Sequence, residues 1–278
     1  MEIDKNQVLQ AFKRYVGAYD IADPKIALKI SHTYRVAALA EKIAASLPEA
    51  TEELVALSWM LGMLHDIGRF EQIRRYHTFS DAASVSHAAL GAQILFESDE
   101  PHSNAGTSAK VAARDSRGPL IRQFVEDPVA DAIIRRAIEL HSAWHLPEDL
   151  TPHESTLCII LRDADKIDIL KVNCIQPVED IYGISQQELL KSPLSDEAAG
   201  WFWRHSTMPR DARHFPADTL LSHVCFVWEL SYPKSFELAW HDGSVFAMME
   251  RPWELTSTQH AFAEMEDTLK EWLASRLH

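Results

Sequence analysis

The run Leu54-Val55-Ala56-Leu57-Ser58-Trp59-Met60-Leu61-Gly62-Met63-Leu64, followed at once by His65-Asp66-Ile67-Gly68-Arg69-Phe70, decides how this chain is read. It is apolar apart from Ser58 and shows no alternation. Thr51, Glu52 and Glu53 precede it, a polar and acidic start suited to a helix N-terminus. The run therefore predicts a buried helix that ends on an imidazole and a carboxylate. Two such groups need partners there, because an unpaired buried charge is costly. A metal would satisfy both, and for the doublet by itself a hydrogen-bonded core pair is an equal alternative.

Working outward, helical periodicity dominates. From Ile26 to Ala45 the apolar side chains recur at three- and four-residue steps, and Pro48 closes the segment. Ser86–Phe96, Pro128–Leu140 and Glu154–Val172 read the same way. No run alternates with clustered β-branched residues, so no sheet is expected. Asp99–Pro119, with two prolines and two glycines, predicts a surface loop, and Pro147–Pro152 a short break between helices. Composition shifts after about Gln176, and six of the eight tryptophans follow. Such density predicts a packed aromatic core, with a base-stacking surface as the alternative. The expected organisation is all-α: a helical core over 1–175 and a C-terminal helical extension over 176–278 packed on it.

Charge and composition limit the partners. Twenty-seven Lys and Arg stand against 41 Asp and Glu in 278 residues, a net charge of -14. That disfavours a nucleic-acid polymer, whose binding relies on basic side chains releasing counterions. A small phosphorylated substrate stays compatible, because a local cation cluster outweighs distant acidic surface. Cys158, Cys174 and Cys225 are odd in number and form no close pair, which fits a reducing compartment. With no secretory-type start and no apolar stretch of membrane-spanning length, a cytoplasmic protein without a membrane partner is expected.

The chemistry-bearing residues are His32, His65, Asp66, His87, His141 and Asp165. Mixed imidazole and carboxylate sets suit first-row divalent ions, and helical bundles build such sites by projecting ligands inward. His32 stands in phase with Leu28, Val36 and Leu39, at the border of the inward face. Asp163 and Asp168 are rivals to Asp165, and His145 is a further candidate if its helix continues past His141. The other histidines are read as surface or hydrogen-bonded residues.

In its ordered set the sequence resembles the HD-domain superfamily of metal-dependent phosphohydrolases. The resemblance rests on His32 in Ser-His-Thr-Tyr-Arg-Val, His65-Asp66 in Met-Leu-His-Asp-Ile-Gly-Arg-Phe, and Asp165 in the Ala-Asp of Leu-Arg-Asp-Ala-Asp-Lys. His87, with Gly91 four residues on, and His141 resemble the two added histidines of binuclear members. The adjacent His-His and the Gly-Tyr-Pro of the HD-GYP phosphodiesterases are missing, which argues against cyclic dinucleotides. The nearer likeness is to uncharacterised bacterial HD hydrolases carrying His-Asp-Ile-Gly-Arg-Phe-Glu-Gln.

The resemblance implies one or two divalent transition ions: Fe, Mn, Co, Ni or Zn. His32, His65 and Asp165 would serve one ion, His87 and His141 the other, and Asp66 both. It implies hydrolysis of a small phosphate ester or nucleotide, with Arg69 gripping the phosphate and Lys166 as a second candidate or a surface ion pair. Two rivals share the pattern: a binuclear iron oxygenase of the HD type, and a non-catalytic ligand-binding module.

Overall fold

The structure is a computed structural model that describes residues 2–97 and 118–277. Apart from Gly118 and Pro119, the expected loop at 99–119 lies outside the described residues. Helices and short 3-10 turns make up the described elements, with no strand among them, so the protein is all-α. The chain divides into two compact units, with the boundary between Arg162 and Asp163.

The first unit is built from α1 (Lys5–Val16), α2 (Pro24–Ala45), α3 (Glu52–Leu64), α4 (Ile67–Tyr76), α5 (His87–Phe96), α6 (Asp131–Leu140) and the start of α7 (Pro152–Ile175). Local chemistry sets the ends. Asp23 caps α2 with Pro24 in its first turn, Thr51 accepts the Leu54 N–H, and Ser86 accepts the Ala89 N–H. Two helices, α1 and α4, lie outside the expected segments. In α4 four of the ten residues are charged, which breaks up its apolar pattern.

Two glycines let the helices close. A Cβ on Gly62 would sit 2.5 Å from the Ala37 Cα, so α2 and α3 cross with backbones nearly touching. Ala37, Ala40 and Ala44 line that side of α2 and are fully buried. A Cβ on Gly68 would fall 2.2 Å from the His87 carbonyl oxygen and 2.6 Å from the Gly91 amide nitrogen. That contact fixes the N-terminus of α5 beside the start of α4. Beneath it, Phe70 meets Phe12, Tyr15 and Tyr19 edge-on or tilted at 5.7–5.9 Å. Burial of a ring the size of Phe70 contributes about 2–3 kcal/mol.

The second unit carries the rest of α7, then α8 (Val178–Tyr182), α9 (Gln186–Leu190), α10 (Asp196–Trp203), α11 (Pro216–Val224), α12 (Pro233–Asp242), α13 (Ser244–Met249) and α14 (Thr256–Ala274). Its aromatic side chains pack on one another. Trp228 lies under the His205 ring at 4.1 Å and meets Trp272 edge-on at 4.7 Å, while Trp253 stacks on Phe262 at 4.6 Å.

Gly68→Ala tests the α4–α5 contact. Both opposing atoms are backbone, so the helices must part, at about 1–3 kcal/mol. The melting temperature should fall by roughly 2–12 °C. An unchanged melt would mean that the crossing yields freely.

Candidate metal centre

The doublet His65-Asp66 occupies the corner between α3 and α4. His65 continues the helical backbone of α3, its N–H donating to the Leu61 carbonyl, and Asp66 sits at the head of α4. His141 follows the last residue of α6, His87 opens α5, and His32 lies in the middle of α2. All five side chains are buried.

Their hydrogen bonds decide which nitrogen is available. His65 donates its Nδ1–H to the Gly62 carbonyl at 2.8 Å, and His141 donates its own to the Ile138 carbonyl at 2.6 Å. A carbonyl can only accept, so Nε2 of each neutral ring carries a lone pair. Asp81 does the same for His87, holding Nδ1–H at 2.7 Å through Oδ2. Asp81 stays ionised: burial opposes this, but the bond from His87 and the Arg69 charge push its pKa well below the carboxylate range. Burial, then the Arg69 charge, lower the His87 pKa and favour its neutral ring.

The bared nitrogens converge. His87 Nε2 faces His141 Nε2 at 3.0 Å, and His65 Nε2 faces His32 Nε2 at 3.3 Å. Between His87 and His141, lone pairs turned on each other at that distance repel unless a cation lies against both. Two imidazoles on one ion, with bonds of about 2.0–2.1 Å, stand roughly 3.0–3.4 Å apart, so the spacing fits. Asp66 adds one oxygen to each pair. Its Oδ2 is 3.4 Å from His32 Nε2 and 3.5 Å from His65 Nε2, and its Oδ1 is 3.6 Å from His87 Nε2 and 3.9 Å from His141 Nε2. His32–His65–Asp66 and Asp66–His87–His141 are thus two buried groups, each able to hold a metal ion.

Three side chains around the cluster escaped the sequence reading. Lys29 places Nζ 2.6 Å from Asp66 Oδ2. Burial by itself would raise the Asp66 pKa, but the Lys29 charge beside it holds it well below the usual value. Only the spacing from Lys29 to His32, one helical turn, hinted that both share a face. Asp81 had no signal in the sequence. Arg162 donates to the Leu140 and Ala143 carbonyls and so ties down the chain around His141.

The remaining sequence candidates lie as follows. Arg69 uses Nη1 to hold Gln72, the Phe79 carbonyl and Asp81 at 2.6–2.9 Å. Its Nε lies 3.6 Å from Asp66 Oδ1 and, among the described residues, makes no hydrogen bond. Asp165 is half-buried on α7, in the second unit, and belongs to neither of the two groups found among the described residues. Lys166 pairs with Glu229 at 2.5 Å. Asp163 Oδ2 accepts the Ser231 and Tyr232 N–H groups at the start of α12, and Asp168 is buried. His145 is exposed beside Trp144, because the helix ends at Leu140 rather than continuing.

The model of the HD domain family matches residues 30–170. No curated protein and no solved structure matches the chain.

If Asp81 sets the His87 tautomer, Asp81→Asn should weaken metal binding at the His87–His141 pair by roughly 10–100-fold, as losses of such outer partners do. Titration with Mn or Zn should show one weakened site and one unchanged. Two unchanged sites would leave Asp81 with no part in ligand orientation.

Proposed function

Because the chain belongs to the HD domain family, we propose that it is a metal-dependent phosphohydrolase of small phosphate esters, working at the paired histidines around Asp66. One observation carries this reading: the two oxygens of a single buried carboxylate face two separate pairs of Nε2 atoms. A pair of ions held there would lower the pKa of a bridging water toward neutrality and steady the charge that develops on phosphoryl oxygens.

The side chains divide the rest of the work. Asp66 spans both positions, and Asp165 completes the first set in this reading. Arg69 is tethered through Nη1, and its Nε edge makes no hydrogen bond among the described residues. A guanidinium suits bidentate contact with a phosphate, and this Nε, buried beside Asp66, has no hydrogen bond to give up among the described residues. Lys29 brings a further positive group against Asp66. Lys166 is the weaker phosphate contact, because Glu229 already balances its charge. Burial of the histidines keeps water away and strengthens each electrostatic contact.

Metal analysis of freshly purified protein, with a screen of phosphomonoesters, phosphodiesters and nucleotides, tests the reading. Bound divalent metal and turnover of one ester class are expected. Oxygen consumption by iron-loaded protein with a small alcohol, and no ester turnover, would put the oxygenase in its place. His87→Ala and His141→Ala should each reduce the metal content from two ions to one, and activity with it. Two ions retained in both variants would remove these histidines from the site.

Arg69→Ala should raise KM by about 10–100-fold, the range of a hydrogen bond to a charged group worth ~1.5–3 kcal/mol. Arg69→Lys should lie between, with both variants assayed at saturating metal so that weaker Asp81 support at His87 does not enter. Wild-type kinetics in Arg69→Ala would restrict Arg69 to holding Asp81 and Phe79.

A further inference from the structure

The second unit has a pocket of about 220 Å³ between the α8–α9 turn and the start of α11. Tyr182, Ile184, Phe215 and Pro216 give it apolar area, and polar groups, the Thr219 hydroxyl among them, supply nearly as much. Arg213 also lines it. Its Nη2 donates to the Met208 carbonyl at 3.0 Å, and its Nε is buried without a hydrogen-bond partner among the described residues.

Several partly buried cations stand against carboxylates: Lys29 against Asp66, Arg69 against Asp81, Arg74 against Glu71 and Lys166 against Glu229. Arg162 and Arg251 donate to backbone carbonyls, as Arg213 does, but Arg213, with no carboxylate against it among the described residues, alone of the three lines this pocket. The acids nearby are committed elsewhere. Asp218 receives the Ser195 hydroxyl and the N–H groups of Ser195, His214 and Phe215, all at 2.9–3.1 Å. Glu197 is held by His214 at 2.8 Å, which turns that lining residue to its own acid. The Tyr182 hydroxyl is taken by Asn173 and His223. Burial, then the like charge of Arg210, work against the Arg213 cation, and no carboxylate offsets them. A guanidinium half withdrawn from water, short of an anion and bordered by apolar rings is costly as it stands. An incoming anion would relieve that cost, and a guanidinium matches a carboxylate or phosphate in shape.

We propose that this pocket binds a small organic anion, a carboxylate or phosphate on a compact apolar body, with Arg213 as its anchor. The anionic group meets the guanidinium, and the body lies against Tyr182, Ile184 and Phe215. The volume sets the size, since pockets for drug-sized ligands run to roughly 300–1,000 Å³. The proposal is independent of the phosphohydrolase reading.

Calorimetric titration of the full-length protein, as purified, with benzoate, phenylphosphonate and inorganic phosphate tests it. One-to-one binding is expected for benzoate or phenylphosphonate, at least tenfold tighter than for inorganic phosphate. Which of the two binds better identifies the anionic group. Arg213→Met should weaken that binding tenfold or more. Ile184→Glu, which sets a competing carboxylate in the wall at a half-buried turn position, should do the same with the melting temperature unchanged. If Arg213→Met does not fold, Ile184→Glu decides alone. Binding that survives these substitutions belongs to another site and overturns the proposal, as does inorganic phosphate binding equally well. Absence of binding by all three probes overturns it too.

Discussion

A histidine can face a cation only through a nitrogen that carries no proton, and at this site that condition is met from behind. His65 and His141 give their Nδ1 protons to carbonyls three residues earlier in the chain, and His87 gives its own to Asp81. The first two bonds are built into helix ends, where the last carbonyls lack partners within the helix. One bond therefore satisfies an orphan acceptor and also fixes the imidazole. The arrangement leaves the Nε2 atoms of His87 and His141 at 3.0 Å, which is costly between bare lone pairs. The surrounding packing holds these nitrogens in place.

Much of that packing comes from the residues just after the doublet. Tyr15 donates to the Ile67 carbonyl at 2.9 Å, Gly68 admits the backbone of α5, and Phe70 fills the aromatic cluster below. Glu71, fully buried, is matched by Arg74 and Arg75. Gln72 binds Asp81, Ser84 and the Val85 carbonyl at 2.9–3.0 Å. Gln72 and Arg69 thus fold the link between α4 and α5 back on itself. Asp81 reaches His87 because of that fold. A segment that reads as a motif for chemistry is, residue by residue, equally a set of structural instructions.

This explains what was legible in the sequence. Helix α3, and α2 with its alanine face, show as long periodic or continuous apolar runs, so their type and their approach to one another are written locally. His32, His65, Asp66, His87 and His141 stand out because each is a polar ligand type set in or beside such a run. The side chains that orient or balance them do not stand out. Asp81 is an ordinary acid in a polar stretch until Gln72 and Arg69 bring it round, and Lys29 reads as a solvated flank until α3 delivers Asp66 to it. Helix α4 was obscured by its own arginines, which cover Glu71 instead of marking a loop.

Charge offers the last step. The chain carries a net charge of -14, yet Lys29 and Arg69 both lie against Asp66 in an almost dry setting. Fields from surface carboxylates fade over about 8 Å at physiological salt, whereas pairs removed from water are screened far less. A long polyanion must lie along the acidic exterior and bear the repulsion over its whole length. Under the proposed phosphohydrolase reading, a small ester would meet that exterior only in passing. In that reading the contrast between far and near charge would favour a small ester over a polyanion, although Lys29 and Arg69 are themselves paired with Asp66 and Asp81.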